Sequence, residues 1–260
     1  MGKEQRGFGL AGESANETIH EAAMAAENAG FETFWLSQPA SGSTLAKLHD
    51  VANITDRIRL GVGAIPLTRE SPEEIADQIR NLPLPSNRLR LGLGSGTGVG
   101  SLDRLRRGVE SLRTLADVEV VVAPLGPTMC EVAGEAADAV LLNWLTPSYA
   151  AKSAEWVRKG ATRAGRDVPV ITCYVRCALG SASLARLETE CARYGSFPHY
   201  AAHFERQGVQ PLETAILATS SIAMQKQIEV YESVLDQVVV RAITASTQEE
   251  VLQLIESSRP

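Results

Sequence analysis

The sequence predicts an α/β protein of the closed (β/α)8 TIM-barrel class, with one barrel domain over residues 1–260. Three observations carry this reading. Short apolar runs rich in β-branched residues alternate with amphipathic helical stretches from one end of the chain to the other, giving eight strands and at least eight helices. No two-residue hairpin signal interrupts the alternation, which favours a closed parallel barrel over an open doubly wound sheet. Residues 118–147, VEVVVAPLGPTMCEVAGEAADAVLLNWLTP, contain a complete β-α-β unit. In it Val118, Val120, Val121 and Val122 form one strand and Ala139, Val140, Leu141 and Leu142 the next, with Met129, Val132, Ala133 and Ala136 recurring at i, i+3, i+4, i+7 between them.

The elements follow in order. Phe8-Gly9-Leu10 begins the first strand; Ser14-Ala15-Asn16-Glu17 has the form of a capping box, and Ile19, Ala22, Ala23 and Ala26 face inward until Gly30 ends the helix. Phe34-Trp35-Leu36 is the second strand, Leu45, Leu48 and Ala52 mark the second helix, and IRLGVGAI at 58–65 is the third strand. Ser71-Pro72-Glu73-Glu74 joins a capping residue, a proline at the first helical position and a glutamate at the third, which starts the third helix. Residues 89–94 form the fourth strand, and Leu102, Leu105, Val109 and Leu112 the fourth helix. Behind Thr146-Pro147, Ala150, Ala154, Val157 and Ala161 line a sixth helix, and residues 168–179 carry the seventh strand. Residues 181–234 read as mostly helical with a break at 208–211; residues 237–241 are the eighth strand, and Thr247-Gln248-Glu249-Glu250 caps the last helix.

Composition excludes several classes. A net charge of −6 argues against a nucleic-acid partner, and the basic cluster Arg104, Arg106, Arg107 and Arg113 reads as a solvated helix face. No apolar run approaches the ~20 residues that span a bilayer, so no membrane role is expected. Cys130, Cys173, Cys177 and Cys191 match no zinc spacing and read as buried thiols of a cytoplasmic protein. The polar start, Met1 to Arg6, has no leader-like apolar core. His20, His49, His199 and His203 lack an HExxH glutamate or a third ligand, so no metal site is expected; no GxSxG elbow is present.

In a barrel of this class chemistry sits at the carboxyl ends of the strands, which selects a few turns. Ser37-Gln38-Pro39 follows the second strand, Gly63-Ala64-Ile65-Pro66 the third, and Asn143-Trp144 the sixth. After the fourth strand, LGLGSGTGVG has glycine at every second position and does not match GxGxxG; Gly94, Ser95 and Gly96 would let a flat ring or a phosphate lie on bare backbone, or form a plain loop. Leu125-Gly126-Pro127-Thr128 leads into a helix start where N–H groups near Gly126, Thr128 and Met129 suit a phosphate or an ordinary helix cap. Strong acid, base and metal candidates are missing, which points to chemistry supplied by a bound cofactor.

These residues carry a resemblance. AENAGFETFWLSQ, DRIRLGVGAIPLTRESP, RLRLGLGSGT and VVVAPLGPTMCEVAGEAADAVLLNWLTP, with the tail segments FPHYAAHFERQGVQPLETAI and LDQVVVRAITASTQEEVLQLI, resemble the bacterial luciferase-like monooxygenase superfamily, in particular its coenzyme F420-dependent oxidoreductases. The resemblance implies a (β/α)8 barrel that binds F420, or alternatively FMN, at the strand ends and acts on a small organic substrate, commonly as a homodimer. It places Leu125, Gly126, Thr128 and Met129 at the cofactor phosphate, Gly94, Ser95 and Gly96 at the ring system, and Asn143 on the cofactor side. It also places Gly63, Ala64 and Ile65 at a bulge with a non-prolyl cis peptide. Ser37, Gln38, Asn143 and Trp144 are then the nearest candidates for polar contact and stacking.

The chain departs from the family at three points. Gln38-Pro39 stands where an acidic residue and histidine are common, and Leu84-Pro85-Ser86-Asn87-Arg88 replaces Ser-Gly-Gly-Arg. Residues 115–118 pass almost directly from the fourth helix to the fifth strand, so a shortened active-site insertion and a more open pocket are expected. The function expected is hydride transfer between F420 and an organic substrate. The alternatives are an FMN-dependent monooxygenase, a cofactor-free barrel acting as a binding or partner subunit, and a phosphate-binding barrel with non-redox chemistry.

Overall fold

A computed structural model of the chain describes residues 6–39 and 42–260. Met1 to Gln5, which bear most of the expectation about a leader, and Ala40 and Ser41 lie outside the described residues. The strands are β1 (Gly7–Leu10), β2 (Thr33–Leu36), β3 (Arg59–Pro66), β4 (Leu89–Gly94), β5 (Glu119–Val122), β6 (Ala139–Asn143), β7 (Val170–Leu179), β8 (Ile216–Ala218) and β9 (Gln237–Ala242). Between and after them come α1 (Asn16–Ala29), α2 (Thr44–Ala52), α3 (Pro72–Asn81), α4 (Ser101–Leu115), α5 (Pro127–Ala136), α6 (Pro147–Arg163), α7 (Leu184–Gly195), α8 (Pro198–Gln207), α9 (Ser221–Glu232) and α10 (Gln248–Ser257). Strands β1 to β7 pair in sequence, β7 pairs with β9, and β9 pairs back to β1, all parallel, which closes an eight-stranded barrel.

The strand expected at 237–241 is therefore β9. Strand β8 falls inside the stretch read as helical, because three residues are too few to show a period. It pairs with Cys177, Ala178 and Leu179 on the flank of β7 that β6 leaves after Tyr174, since Cys177 faces Ala242 of β9 on the other flank. Helices α3 and α10 start with capping boxes at Ser71 and Thr247, as their sequences indicate. Ser14 forms none: α1 begins at Asn16 with Ala15 as its uncapped first flank, which leaves Ser14 one residue too early. In α5 the buried face is Cys130, Val132, Ala133 and Gly134, with Met129 and Ala136 half-buried. The rotation follows from the tight crossing with α6, where a Cβ on Gly134 would lie 2.0 Å from the Val157 carbonyl oxygen.

Side chains that alternate outward from the strands pack under the helices, and those that point inward fill the barrel. Trp35, Val121, Ala139, Leu141, Tyr174 and Val239 form the interior cluster. Large rings fit because β3 contributes glycine: a Cβ on Gly61 would lie 2.2 Å from the Trp35 indole, and one on Gly63 2.6 Å from the Tyr174 hydroxyl. The amino end is closed by a polar layer in which Trp35 Nε1 donates to Thr33 Oγ1 (2.9 Å) and Thr33 Oγ1 to Gln237 Oε1 (3.2 Å).

The short link between α4 and β5 is present, but it joins a helix to the start of a strand and so lies at the amino end. An insertion there cannot cover a site at the opposite end, and the expectation of an open pocket from this link is corrected. Cover over the other end comes from α7 and α8. All four cysteines are buried free thiols. Among the described residues no helix is long and apolar enough to cross a membrane.

Candidate functional site

At the carboxyl ends of the strands a cavity of about 700 Å³ opens, and nearly every strand lends it residues. Ser37, Gln38 and Pro39 come from the end of β2, Gly63, Ala64 and Pro66 from β3, Gly94, Ser95 and Gly96 from β4, Ala123, Pro124 and Leu125 from β5, and Leu141 and Asn143 from β6. Tyr174 and Arg176 of β7 and Arg241 of β9 form the far side, while Arg193 and Tyr194 lean in from α7 and His199 and Tyr200 from α8. Met129, on the first turn of α5, also lines it.

The β3 wall is irregular. The Gly63–Ala64 peptide is cis, and the pairing of β3 with β4 shifts register between Val62 and Ile65. Gly63 and Ala64 face the cavity, whereas Ile65 is buried in the shell under the helices. Beside them Gly94 offers bare backbone: a Cβ there would have nothing nearer than 3.9 Å. The glycine run that follows is pinned, since Arg104 Nη1 donates to the Ser95 carbonyl (2.8 Å) and Nη2 to the Val99 carbonyl (3.2 Å). Arg104, read from the sequence as part of a solvated face, thus serves the loop.

The turn before α5 lies at the rim. Gly126 adopts φ 87°, Pro127 opens the helix, and no side chain caps its first turn, so the first N–H groups are left without intrahelical partners at the positive end of the dipole. Thr128 is exposed there. The Arg206 guanidinium comes from α8 to within 3.2 Å of where a Cβ on Gly126 would stand. Leu125 and Met129 reach the cavity, while Gly126 and Thr128 sit outside its lining.

Candidates after β2 and β6 have other duties. Gln38 Nε2 donates to Glu70 Oε1 (2.9 Å), and Ser37 Oγ accepts from Gly12 N (3.3 Å). Asn143 lines the cavity, but its amide donates to the Tyr200 hydroxyl (3.3 Å) and its oxygen accepts from Arg176 Nη1. Trp144 is 1% exposed and does not line the cavity; with φ 56° it turns its indole toward Tyr194 and Phe204, under the Arg176 guanidinium at 4.0 Å. His203 Nε2 holds this turn by donating to the carbonyls of Asn143 (3.2 Å) and Trp144 (3.1 Å). Burial, with Arg206 nearby, pushes His203 down to about 4.

Sequence reasoning did not single out Tyr174, Arg176, Glu190 or Arg241. Arg176 Nε donates to Glu190 Oε1 (3.3 Å), and Glu190 Oε2 accepts from Thr244 N (2.7 Å). Burial works against the Glu190 charge, yet Arg176 and Arg241 hold its carboxyl below the usual range. Burial raises the Tyr174 phenol, which is therefore neutral at neutral pH. The available signal was a lone arginine in each of two apolar strands, CYVRCAL and QVVVRA.

The geometry fits a flat, acid-bearing cofactor: open backbone at Gly94 beside Gly63–Ala64 on the cavity wall, and uncapped helix N–H groups at the rim. The chain matches the family model for luciferase-like monooxygenases over residues 3–119 and 100–259. Among solved structures it is similar to an F420-dependent secondary alcohol dehydrogenase in complex with an F420-acetone adduct, at 15% identity, TM-score 0.82 and 100% coverage of both chains. It is also similar to the coenzyme F420-dependent tetrahydromethanopterin reductase from Methanopyrus kandleri, at 18% identity, TM-score 0.77 and 99% coverage of both chains. A third is the oxygenating constituent of 3,6-diketocamphane monooxygenase from the CAM plasmid of Pseudomonas putida in complex with FMN, at 14% identity, TM-score 0.72, and coverage of 99% of this chain and 97% of that one. No curated protein matches the chain at a significant level. With a barrel whose mouth has this form and a family model spanning almost all of its length, the chain belongs to the luciferase-like monooxygenase family.

Proposed function

We propose that the protein is an oxidoreductase that moves a hydride between coenzyme F420 and a small organic substrate. The observation that carries this reading is the continuity of one wall. The backbone of Gly63–Ala64 and Gly94–Gly96 runs on to Leu125 and the uncapped start of α5, so a flat ring and an acidic tail can be held together. The N–H groups of Thr128 and Met129 would hold a phosphate at the helix start, with Arg206 close by. Gly63, Ala64, Gly94, Ser95 and Gly96 would bear the ring. Tyr194, His199 and Tyr200 lie over the far side, where they limit water. When bound, F420 supplies or accepts the hydride; the protein supplies anchorage and orientation.

Two F420-dependent structural relatives of full length support the deazaflavin, and the FMN complex supports the second reading, a monooxygenase. The proposal includes a cytoplasmic location and assembly as a homodimer. Incubating the purified protein with F420 or FMN and following chromophore absorbance through gel filtration tests it. Retention of F420 is expected; retention of FMN alone would favour the monooxygenase, and retention of neither would leave a barrel that binds without redox chemistry.

A further inference from the structure

Arg176 and Arg241 stand directly opposite each other in the β7–β9 register, 2% and 1% exposed. Like charges opposite one another on paired strands repel, and guanidiniums out of water need a counter-charge. Glu190 lies against them and supplies one negative charge to their two positive ones.

The two arginines are not equally satisfied. Arg176 donates to Asn143 and Glu190 and lies over the rings of Trp144 (4.0 Å) and Tyr194 (5.0 Å). Arg241 donates to the Ala242 carbonyl and, at 3.5 Å, to Ser37 Oγ, and its Nε is buried without a partner. The hydroxyl of Tyr174 is likewise buried without a partner, and both residues line the cavity. Gly9 of β1 makes room for the pair, since a Cβ there would lie 3.2 Å from Arg241 Cδ and 3.5 Å from Tyr174 Cε1. The cavity floor thus joins a surplus cation to a free hydroxyl donor.

We propose that Arg241 and Tyr174 seat the carboxylate of an anionic organic substrate. A carboxylate is planar, carries the missing charge and offers two acceptor oxygens, one for the guanidinium and one for the phenol. The seat lies on β7 and β9, whereas the rim turn assigned to cofactor phosphate follows β5, so the two acids occupy different parts of the cavity. The word substrate rests on the oxidoreductase reading; the carboxylate seat does not.

Calorimetric titration with acetate, benzoate and succinate, each beside its uncharged amide, tests the seat in the wild-type protein, Arg241→Gln and Tyr174→Phe. The acids are expected to bind more tightly than the amides. Arg241→Gln should weaken the acids roughly tenfold or more, the scale of a lost charge-assisted hydrogen bond, and leave the amides unchanged. Tyr174→Phe removes only an unpartnered hydroxyl, keeps the fold and should weaken the acids by a smaller factor. Equal binding of acids and amides, or acid binding unmoved by both substitutions, would overturn the seat. F420 retention by the variants identifies the owner of the acid group. Retention at the wild-type level supports a substrate carboxylate, and loss in parallel with the acids would overturn that assignment in favour of the cofactor. Failure of the wild-type protein to retain F420 or FMN would sink the oxidoreductase reading separately, and the acid titrations would still decide the seat.

Discussion

Buried arginines stand at both ends of this barrel, and the two ends neutralise them differently. At the amino end Arg90 lies 3.1 Å from Glu119 and donates to Gln237 (3.4 Å), and Glu119 also pairs with Arg59. The Arg59 side chain is 27% exposed and Glu119 20%, so water reaches this cluster. At the mouth Arg176 and Arg241 share Glu190, and the Arg176 and Glu190 side chains are only 3% and 5% exposed. The cluster at the amino end is therefore partly hydrated, and the one at the mouth is sealed from water. The difference teaches that solvent tempers charge at the amino end, whereas at the mouth further counter-charge would have to come from a group that enters the cavity.

Removing the shared carboxylate at each end tests this most severely. Glu190→Gln strips the counter-charge from two sealed guanidiniums and is expected to cost roughly 3–5 kcal/mol of stability. Glu119→Gln keeps an acceptor beside a partly hydrated pair and should cost roughly 1–2 kcal/mol. Urea unfolding measures both, and equal losses would erase the distinction between the two ends.

Acid should loosen the mouth before the base. His203 titrates near 6.5 when unfolded and about 4 when folded, so between these values the unfolded chain binds more protons and stability rises with pH. The contribution is fully present above pH 6.5 and falls by up to roughly 3 kcal/mol as pH drops towards 4. The melting temperature should follow this slope in the wild-type protein and lose it in His203→Gln. Hydrogen exchange at pH 5 should open the amides of α8 and the Asn143-Trp144 turn ahead of those of β4 and β5.

A pair of glycine substitutions separates packing from binding. Gly61→Ala pushes a methyl into the buried Trp35 indole and should cost roughly 1–3 kcal/mol. Gly94→Ala meets nothing nearer than 3.9 Å, so its stability should stay within about 0.5 kcal/mol of wild type while retention of F420 or FMN falls. Chemical denaturation and gel filtration read the two quantities apart; a stable Gly94→Ala that retains cofactor unchanged would remove Gly94 from the binding wall.

Much of the barrel was legible because its signals are local. The apolar runs, the capping boxes at Ser71 and Thr247 and the glycine end of α1 each operate within a few residues. The turns at Ser37, Gly63, Gly94 and Leu125 were legible for a related reason, since strand order alone sends them to one end. Trp144 was not: its position after β6 resembles that of a cavity residue, and only the packing of Tyr194, Phe204 and Arg176 around it shows where the indole goes. The short link before β5 misled because sequence proximity to an active turn says nothing about which end of the barrel a helix-to-strand connection occupies.

The sequence by itself determined the parallel barrel, the family and the face on which a ligand would sit, because period, capping and strand order are properties of contiguous residues. The tertiary structure decided the chemistry of that face. Arg176, Arg241 and Glu190 come from β7, β9 and α7, and Tyr174 gains its place through Gly9 of β1 and Gly63 of β3. Charge balance and buried hydrogen bonding depend on distances between segments far apart in the chain, and those distances exist only once the barrel has closed.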